Sequence, residues 1–283
     1  MPVQKPAMAV TASFTEEQED STALAKQALE QATQVINIMP KQASSWLGRA
    51  RIYESKGEYA KAVADYTQAL RIEPKNSNAW QARGGANFKG GKIAESLVDF
   101  DKFLQLVPEQ KPYHWQRGIS LYYAGRFEDG KKQFELHQTV NLQDVENAVW
   151  HFLCTARAEG LESAKKKLIP IDQDARIPMA QVHQLFAGKV TPQEVLNVAK
   201  AAPANTPAGE PLFYAHLYLG LYFEAIGENA KAEESILKAA TRAKENGYMG
   251  DVARVHAEIL KKRKMKRDAP QTEHKKQGKT PTP

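Results

Sequence analysis

Few residues of this 283-residue chain stand at the spacings that chemistry needs. His151 and Cys154 lie three apart, which places both on one face of a helix and suits two ligands of a zinc ion. A closed zinc site takes four ligands, however, and His137 and His183 stand alone with no second pair in range. The pair reads instead as a partly buried histidine and a thiol in apolar surroundings. No Gly-x-Ser-x-Gly is present to lift a serine onto a strained strand-to-helix turn. Gly278-Lys279-Thr280 has the closing residues of a phosphate loop, but Glu273 stands where the first glycine belongs and no strand precedes it. The remaining titratable candidates, Asp172, Asp174, Arg176, His183 and Glu194, fall between 170 and 210, where an enzyme would have to build its site. The expectation is a protein without catalytic residues, metal or cofactor, with an enzyme centred on 170–210 as the least favoured alternative.

Charge is placed unevenly. Between Lys261 and Lys279 nine Lys and Arg stand against Asp268 and Glu273, while the net charge of the whole chain is only +6. The body is therefore close to neutral and the basic character belongs to the C-terminal end. No aromatic residues interleave with that run, so stacking on single-stranded nucleic acid is not expected and no specific nucleic-acid partner is assigned. The tail is available to an acidic partner. No run of 18 apolar residues occurs, so no transmembrane segment is expected. Cys154 is the one cysteine, which excludes an internal disulfide. Met1 to Val10 carries one lysine and a short apolar patch, too little for a secretory leader. The compartment stays open: periplasm or envelope if a leader was removed, cytoplasm otherwise.

The elements that must position any site show in a spacing of 34 residues. Gly57, Gly91 and Gly125 share it, as do Tyr66, Phe100 and Phe134, then Pro40, Pro74 and Pro108, then Trp46 and Trp80. Small, aromatic and proline positions locked in one phase at this period mark a helix-turn-helix solenoid of tetratricopeptide type. The fold class is thus all-α, a right-handed α-α superhelix with capping helices. Residues 1–13 are expected to be disordered and 14–42 to form an N-terminal capping helix. Three repeats fill 43–144. A degenerate repeat and a helical interruption fill 145–210, with short helices near Met179–Phe186 and Pro192–Ala201. A further repeat and a capping helix fill 211–267, and 268–283 is a disordered basic tail. No such hairpin buries its own apolar face, so the units must stack, and the stack leaves a concave surface free to bind.

That groove is lined by the first helix of each repeat. Repeat one offers Arg51, repeat two Gln81 and Phe88, repeat three Trp115, Ile119, Tyr122 and Tyr123, and the last repeat Tyr218. Aromatic residues among a few polar ones are the usual make-up of a protein- or peptide-binding patch. The competing reading is that Trp115, Tyr122 and Tyr123 pack against a neighbouring repeat. Tetratricopeptide domains that grip chaperone tails use a ring of Lys, Asn and Arg; the matching positions are Leu47, Arg51, Ala82, Pro112 and Gln116, with a single base, so that specificity is not expected.

Two runs narrow the likeness. Arg117-Gly-Ile-Ser-Leu-Tyr-Tyr-Ala-Gly-Arg126, and His216-Leu-Tyr-Leu-Gly-Leu-Tyr-Phe223 followed by Gly227 and Ala232, resemble the corresponding repeats of the bacterial NlpI-type lipoprotein family, across about Ala43 to Lys262. Trp150 to Leu153 is similar to an aromatic stretch in the same place. Members of that family are envelope adaptors that dock a periplasmic protease and peptidoglycan hydrolases, so the resemblance implies protein binding without catalysis. The chain lacks the family's lipid-attachment cysteine near its start and carries a basic tail foreign to it. The expected function is a non-catalytic adaptor holding a partner in the groove; the alternative is an architectural protein that self-associates, as a homodimer, through the groove or the terminal helix.

Overall fold

The computed structural model describes residues 8–203, 206 and 211–268, with side chains from residue 23 to residue 267. Among the described residues there are fourteen α-helices, two short 3-10 helices and no strand. A long first helix, α1 (Met8–Ile38), begins inside the segment expected to be disordered. Three hairpins follow: α2 (Ala43–Ser55) with α3 (Tyr59–Ile72), α4 (Ser77–Lys89) with α5 (Ile93–Leu106), and α6 (Trp115–Tyr123) with α7 (Phe127–Gln138). Next come α8 (Val145–Glu159) and the short α9 (Leu161–Lys166), then α10 (Met179–Phe186) and α11 (Pro192–Lys200). The chain closes with α12 (Pro211–Ala225), α13 (Asn229–Ala240) and α14 (Gly247–Asp268). The helices stack as an all-α, right-handed superhelix. Residues 1–7, 204–205, 207–210 and the tail beyond Asp268 lie outside the described residues.

Each hairpin is made by the same local chemistry. Gly57, Gly91, Gly125 and Gly227 hold φ between +73° and +83°, a region that costs other residues strain. This lets the next amide reach back over the helix end, Glu58 N to Tyr53 O and Lys92 N to Asn87 O, each at 2.8 Å. Inside the hairpin, small residues admit large ones sixteen positions on. A Cβ on Gly84 would stand 2.6 Å from the Phe100 ring, and one on Gly118 the same distance from Phe134. Ala50 and Tyr66 are the buried pair at these positions in the first repeat.

Between hairpins runs a ladder of arginines at the same 34-residue interval. Arg49 donates to Asp65 at 2.7 Å and back to the Thr33 hydroxyl at 3.2 Å. Arg83 donates to Asp99 at 2.9 Å and back to Thr67 at 3.0 Å. Arg117 reaches Gln133 at 3.1 Å and Asp101 at 2.7 Å. His151 holds the fourth rung, 3.5 Å from Glu135. Each arginine rung ties the second helix of its hairpin to the second helix before it, with Thr33 bringing α1 into the series, while His151 reaches only back to Glu135 of α7.

The period breaks where Phe152 stands 34 residues after Gly118. Its ring is fully buried and meets Phe186 of α10 edge-on at 5.1 Å, so α10 occupies space that a second helix would fill, and α9 is only six residues long. α12 and α13 restore the hairpin, with a Cβ on Gly220 lying 2.6 Å from Ile236.

Candidate protein-binding groove

The concave face is not empty: α14 lies against it. Residues 252, 253, 255 and 256 of this helix are all buried, which is more than the single face a terminal cap would bury. Tyr248 stacks on Phe88 with ring centres 5.3 Å apart and meets Trp115 edge-on at 5.0 Å. Asp251 accepts from the Tyr59 hydroxyl at 2.8 Å, across 192 residues of chain. Arg254 donates to the Lys89 carbonyl at 2.5 Å and lies over the Tyr59 ring. Lys89 pairs with Glu54 at 2.9 Å and approaches Asp251 at 3.7 Å. Burial first, then the bond to Asp251, pushes the Tyr59 hydroxyl up to about 12.

Deeper in, Tyr123 and His256 Nδ1 hydrogen-bond at 3.0 Å, and His256 Nε2 lies 3.2 Å from Glu224 of α12. Burial works to raise the Glu224 carboxyl, but hydrogen bonds from His256 and Arg263 outweigh it and hold the group at about 2. Desolvation carries the Tyr123 hydroxyl well above its ordinary value. Helix α14 is therefore held at both levels by unlike side chains, each contact made once.

The sequence-derived set divides accordingly. Phe88, Trp115 and Tyr123 meet around α14. Ile119 and Tyr122 are buried in the core, Tyr122 edge-on to Trp150 at 5.4 Å. Tyr218 is fully buried in α12, stacked on Tyr214, away from that cluster. Arg51 is exposed on α2. Gln81 is half-buried, donating to Gln116 at 2.5 Å and paired with His114 at 2.7 Å. His114 caps α6 through the Arg117 amide, and burial lowers its imidazole to about 4. Sequence reasoning missed Tyr248, Asp251, Arg254 and His256. The legible signal was a helix whose apolar positions, Met249, Val252, Ala253 and Val255, spread beyond one stripe.

The candidates for chemistry are scattered. Cys154 is buried against Gly130, and desolvation drives its thiol up. Arg176 is shared by Asp144 and Asp174 at 2.7 and 2.6 Å, His183 pairs with the Ile169 carbonyl at 2.9 Å, and Glu194 closes a capping box with Thr191. Asp172 lies exposed in the connection before α10. Among the described residues no three His, Cys, Asp or Glu converge as a metal site, and no helix is long and apolar enough to cross a membrane.

Beside α14 an open cleft of about 700 Å³ remains, lined by Glu54, Lys56, Tyr59, Lys89 and Lys244 among others. The tetratricopeptide repeat family model matches residues 43–76. A tetratricopeptide repeat protein from Parabacteroides merdae aligns over 88% of this chain and 98% of its own at 16% identity, with a TM-score of 0.54. YrrB, described as a tetratricopeptide protein with an unusual peptide-binding site, aligns over 82% and 100% at 18% identity with a TM-score of 0.44. PilW, a type IV pilus biogenesis factor, aligns over 88% and 99% at 17% identity with a TM-score of 0.46. No curated protein matched the sequence. The chain thus carries a tetratricopeptide repeat at 43–76 within an all-α solenoid of tetratricopeptide type.

Proposed function

We propose that the protein is a non-catalytic scaffold that binds a protein or peptide partner along its inner face, with α14 as one wall of the site. The observation that carries this reading is that the face already holds a helix by aromatic stacking and by the pairing of Lys89 with Asp251, while the cleft beside it stays open. Charged and aromatic residues together at such a cleft suit recognition of a polar chain with apolar anchors. Arg51, Gln81 and Trp115 form the reachable part of the set; Phe88, Ile119, Tyr122 and Tyr123 support it from beneath, while Tyr218 packs inside α12 away from it. The scattered, already paired groups of the interruption favour binding over catalysis. The likeness of residues 117–126 and 216–223 to NlpI-type lipoproteins favours an envelope adaptor, and the exposed bases from Lys261 to Arg267 favour an acidic surface on the partner.

A photo-crosslinking amino acid placed at Arg51 or Lys56 tests this against the same residue at Val98 or Leu237, which are exposed on second helices. A discrete adduct from the first two positions alone is expected; equal yields from all four would remove the groove from the proposal. Self-association has one observation in its favour, the exposed Leu24 and Ile38 on α1. It predicts a concentration-dependent dimer in light scattering that Ile38→Glu abolishes.

A further inference from the structure

The open cleft beside α14 carries unbalanced charge. Its walls come from the end of α2, the start of α3, the end of α4, the turn Ala243–Glu245 after α13 and the start of α14. Four cations line it, Lys56, Lys89, Lys244 and Arg254, against two carboxylates, Glu54 and Asp251. Both carboxylates are already engaged. Glu54 accepts from the Tyr66 hydroxyl at 2.7 Å through one oxygen and from Lys89 at 2.9 Å through the other. Asp251 accepts from the Tyr59 hydroxyl at 2.8 Å and from Arg254 at 3.0 Å, with Lys89 3.7 Å from its second oxygen. The two tyrosine rings of the cleft are likewise covered, Tyr59 by Arg254 at 5.0 Å and Tyr248 by Lys89 at 5.8 Å. Lys56, just past α2, and Lys244, in the turn before α14, are left over. Both are exposed, and among the described residues neither forms an ion pair.

A cleft with two spare ammonium groups and no spare carboxylate is complementary to an anionic occupant. Its volume of about 700 Å³ lies within the ~300–1,000 Å³ of ordinary ligand sites, more than a lone ion fills. We propose that the cleft binds an acidic segment of a partner protein, with an aspartate or glutamate side chain reaching each of Lys56 and Lys244. The proposal rests on the groove reading above and names the chemistry of its occupant. An ammonium is a compact point charge on a flexible stem, so the two lysines impose no single geometry on the carboxylates; they select charge and not a fixed motif. The pairs within the cleft make that selection one-sided. With Glu54 and Asp251 held by Lys89 and Arg254, a basic segment finds no open carboxylate and meets two ammonium groups. Lys56 belongs to the first hairpin and Lys244 to the turn that feeds α14, so an acidic segment bridges the two regions that Tyr59 and Asp251 already join.

The test is a calorimetric titration of the full chain with an octapeptide of alternating glutamate and glycine, acetylated and amidated so that only its side chains carry charge, and with its glutamine counterpart. Saturable binding of the glutamate peptide is expected, about fivefold or more tighter than the glutamine peptide and weakening as salt is raised. Lys56→Gln with Lys244→Gln should lower that affinity about fivefold. Lys26→Gln with Lys132→Gln removes the same charge from exposed positions on α1 and α7 and should change it by less than about twofold. All four lysines are exposed, so each pair should keep the wild-type thermal midpoint. Unchanged affinity in the cleft pair would assign the peptide to the basic run Lys261 to Arg267, and an equal loss in both pairs would reduce the effect to net charge. Either result overturns the proposal, as does a glutamine peptide bound as tightly as the glutamate one, or no saturable binding. If the peptide fails while partner adducts still form at Arg51 and Lys56, the groove stands and its acidic specificity alone falls. If the peptide binds through the two lysines and no adduct forms, the anion site stands without that partner.

Discussion

The first three repeats and the seam formed by α14 are held by opposite strategies. In the repeats one rung serves again and again: an arginine, an acid or amide sixteen residues on, and a hydroxyl or acid sixteen residues back. In the seam nothing recurs. A tyrosine stack, an aspartate to a tyrosine hydroxyl, an arginine to a carbonyl and a tyrosine hydroxyl to a buried histidine each occur once, between residues 133 to 192 apart in sequence. Neighbour-to-neighbour contacts make a solenoid whose stability adds up unit by unit. Long-range contacts at one edge join its two ends instead and turn an open groove into a partly filled one. The repeats are joined unit to unit, and the seam ties the first two hairpins to the last helix.

The sharpest way to break this contrast is at a buried rung. Asp99 is 2% exposed and receives two bonds from Arg83 and one from Asn87. Arg83→Met would leave that carboxylate buried with one neutral donor. The loss should be about 3–5 kcal/mol in chemical denaturation. Adding Asp99→Asn should return much of it, because no charge then remains to be paired. A loss below about 1 kcal/mol would reduce the ladder to the rank of an exposed ion pair.

The seam should respond to acid instead. Glu224 titrates at about 2 in the folded chain against an ordinary 4.5. A depressed carboxylate stabilises above its unfolded value and loses that contribution as pH falls through the folded one. Some 2–3 kcal/mol of the hold on α14 should thus disappear between about pH 4.5 and pH 2. Hydrogen exchange would show it as earlier loss of protection in 247–260 than in α2 to α5. Glu224→Gln should remove most of that acid dependence in the seam and leave the repeats unchanged. Simultaneous loss of protection in both regions would mean that seam and repeats open as one unit.

What was legible follows the same division. A 34-residue phase in Gly, aromatic and Pro positions is local information, because each hairpin is closed within about half that span. It located α2 to α7, and the return of small and apolar residues after Pro211 located α12 and α13. The arginine ladder was equally local, since Arg49, Arg83 and Arg117 keep the interval of the tryptophans, but it shows only when charged positions are read in phase with apolar ones. The groove set illustrates the limit. Phase groups Phe88, Trp115 and Tyr123 on one side of their helices, and in the fold they meet Tyr248 and His256 of α14. It does not say what stands opposite, because that depends on superhelical pitch summed over every unit and on the break that Phe152 introduces. Tyr248 and His256 belong to a helix with no counterpart in the period, so nothing in their spacing pairs them with residues far upstream.

The smallest effect is expected at the third rung, where the ladder changes character. Arg117 faces Asp101, which is 41% exposed, and the neutral Gln133 in place of the aspartates at 65 and 99. Arg117→Met strands no buried charge: water solvates Asp101, and Gln133 keeps its donation to the Lys111 carbonyl at 2.8 Å. The cost should stay under about 1 kcal/mol, the range of exposed ion pairs, and should shrink further in high salt. Arg83→Met in the same buffers should be nearly indifferent to salt, because its stranded charge is shielded from ions. The third rung is also where the array begins to depart from its own pattern, passing to His151 and Glu135 and then to the short α9. If Arg117→Met proved as damaging as Arg83→Met, repeat three would belong energetically with the two before it, and the weakening of the array would begin at Phe152 rather than one rung earlier.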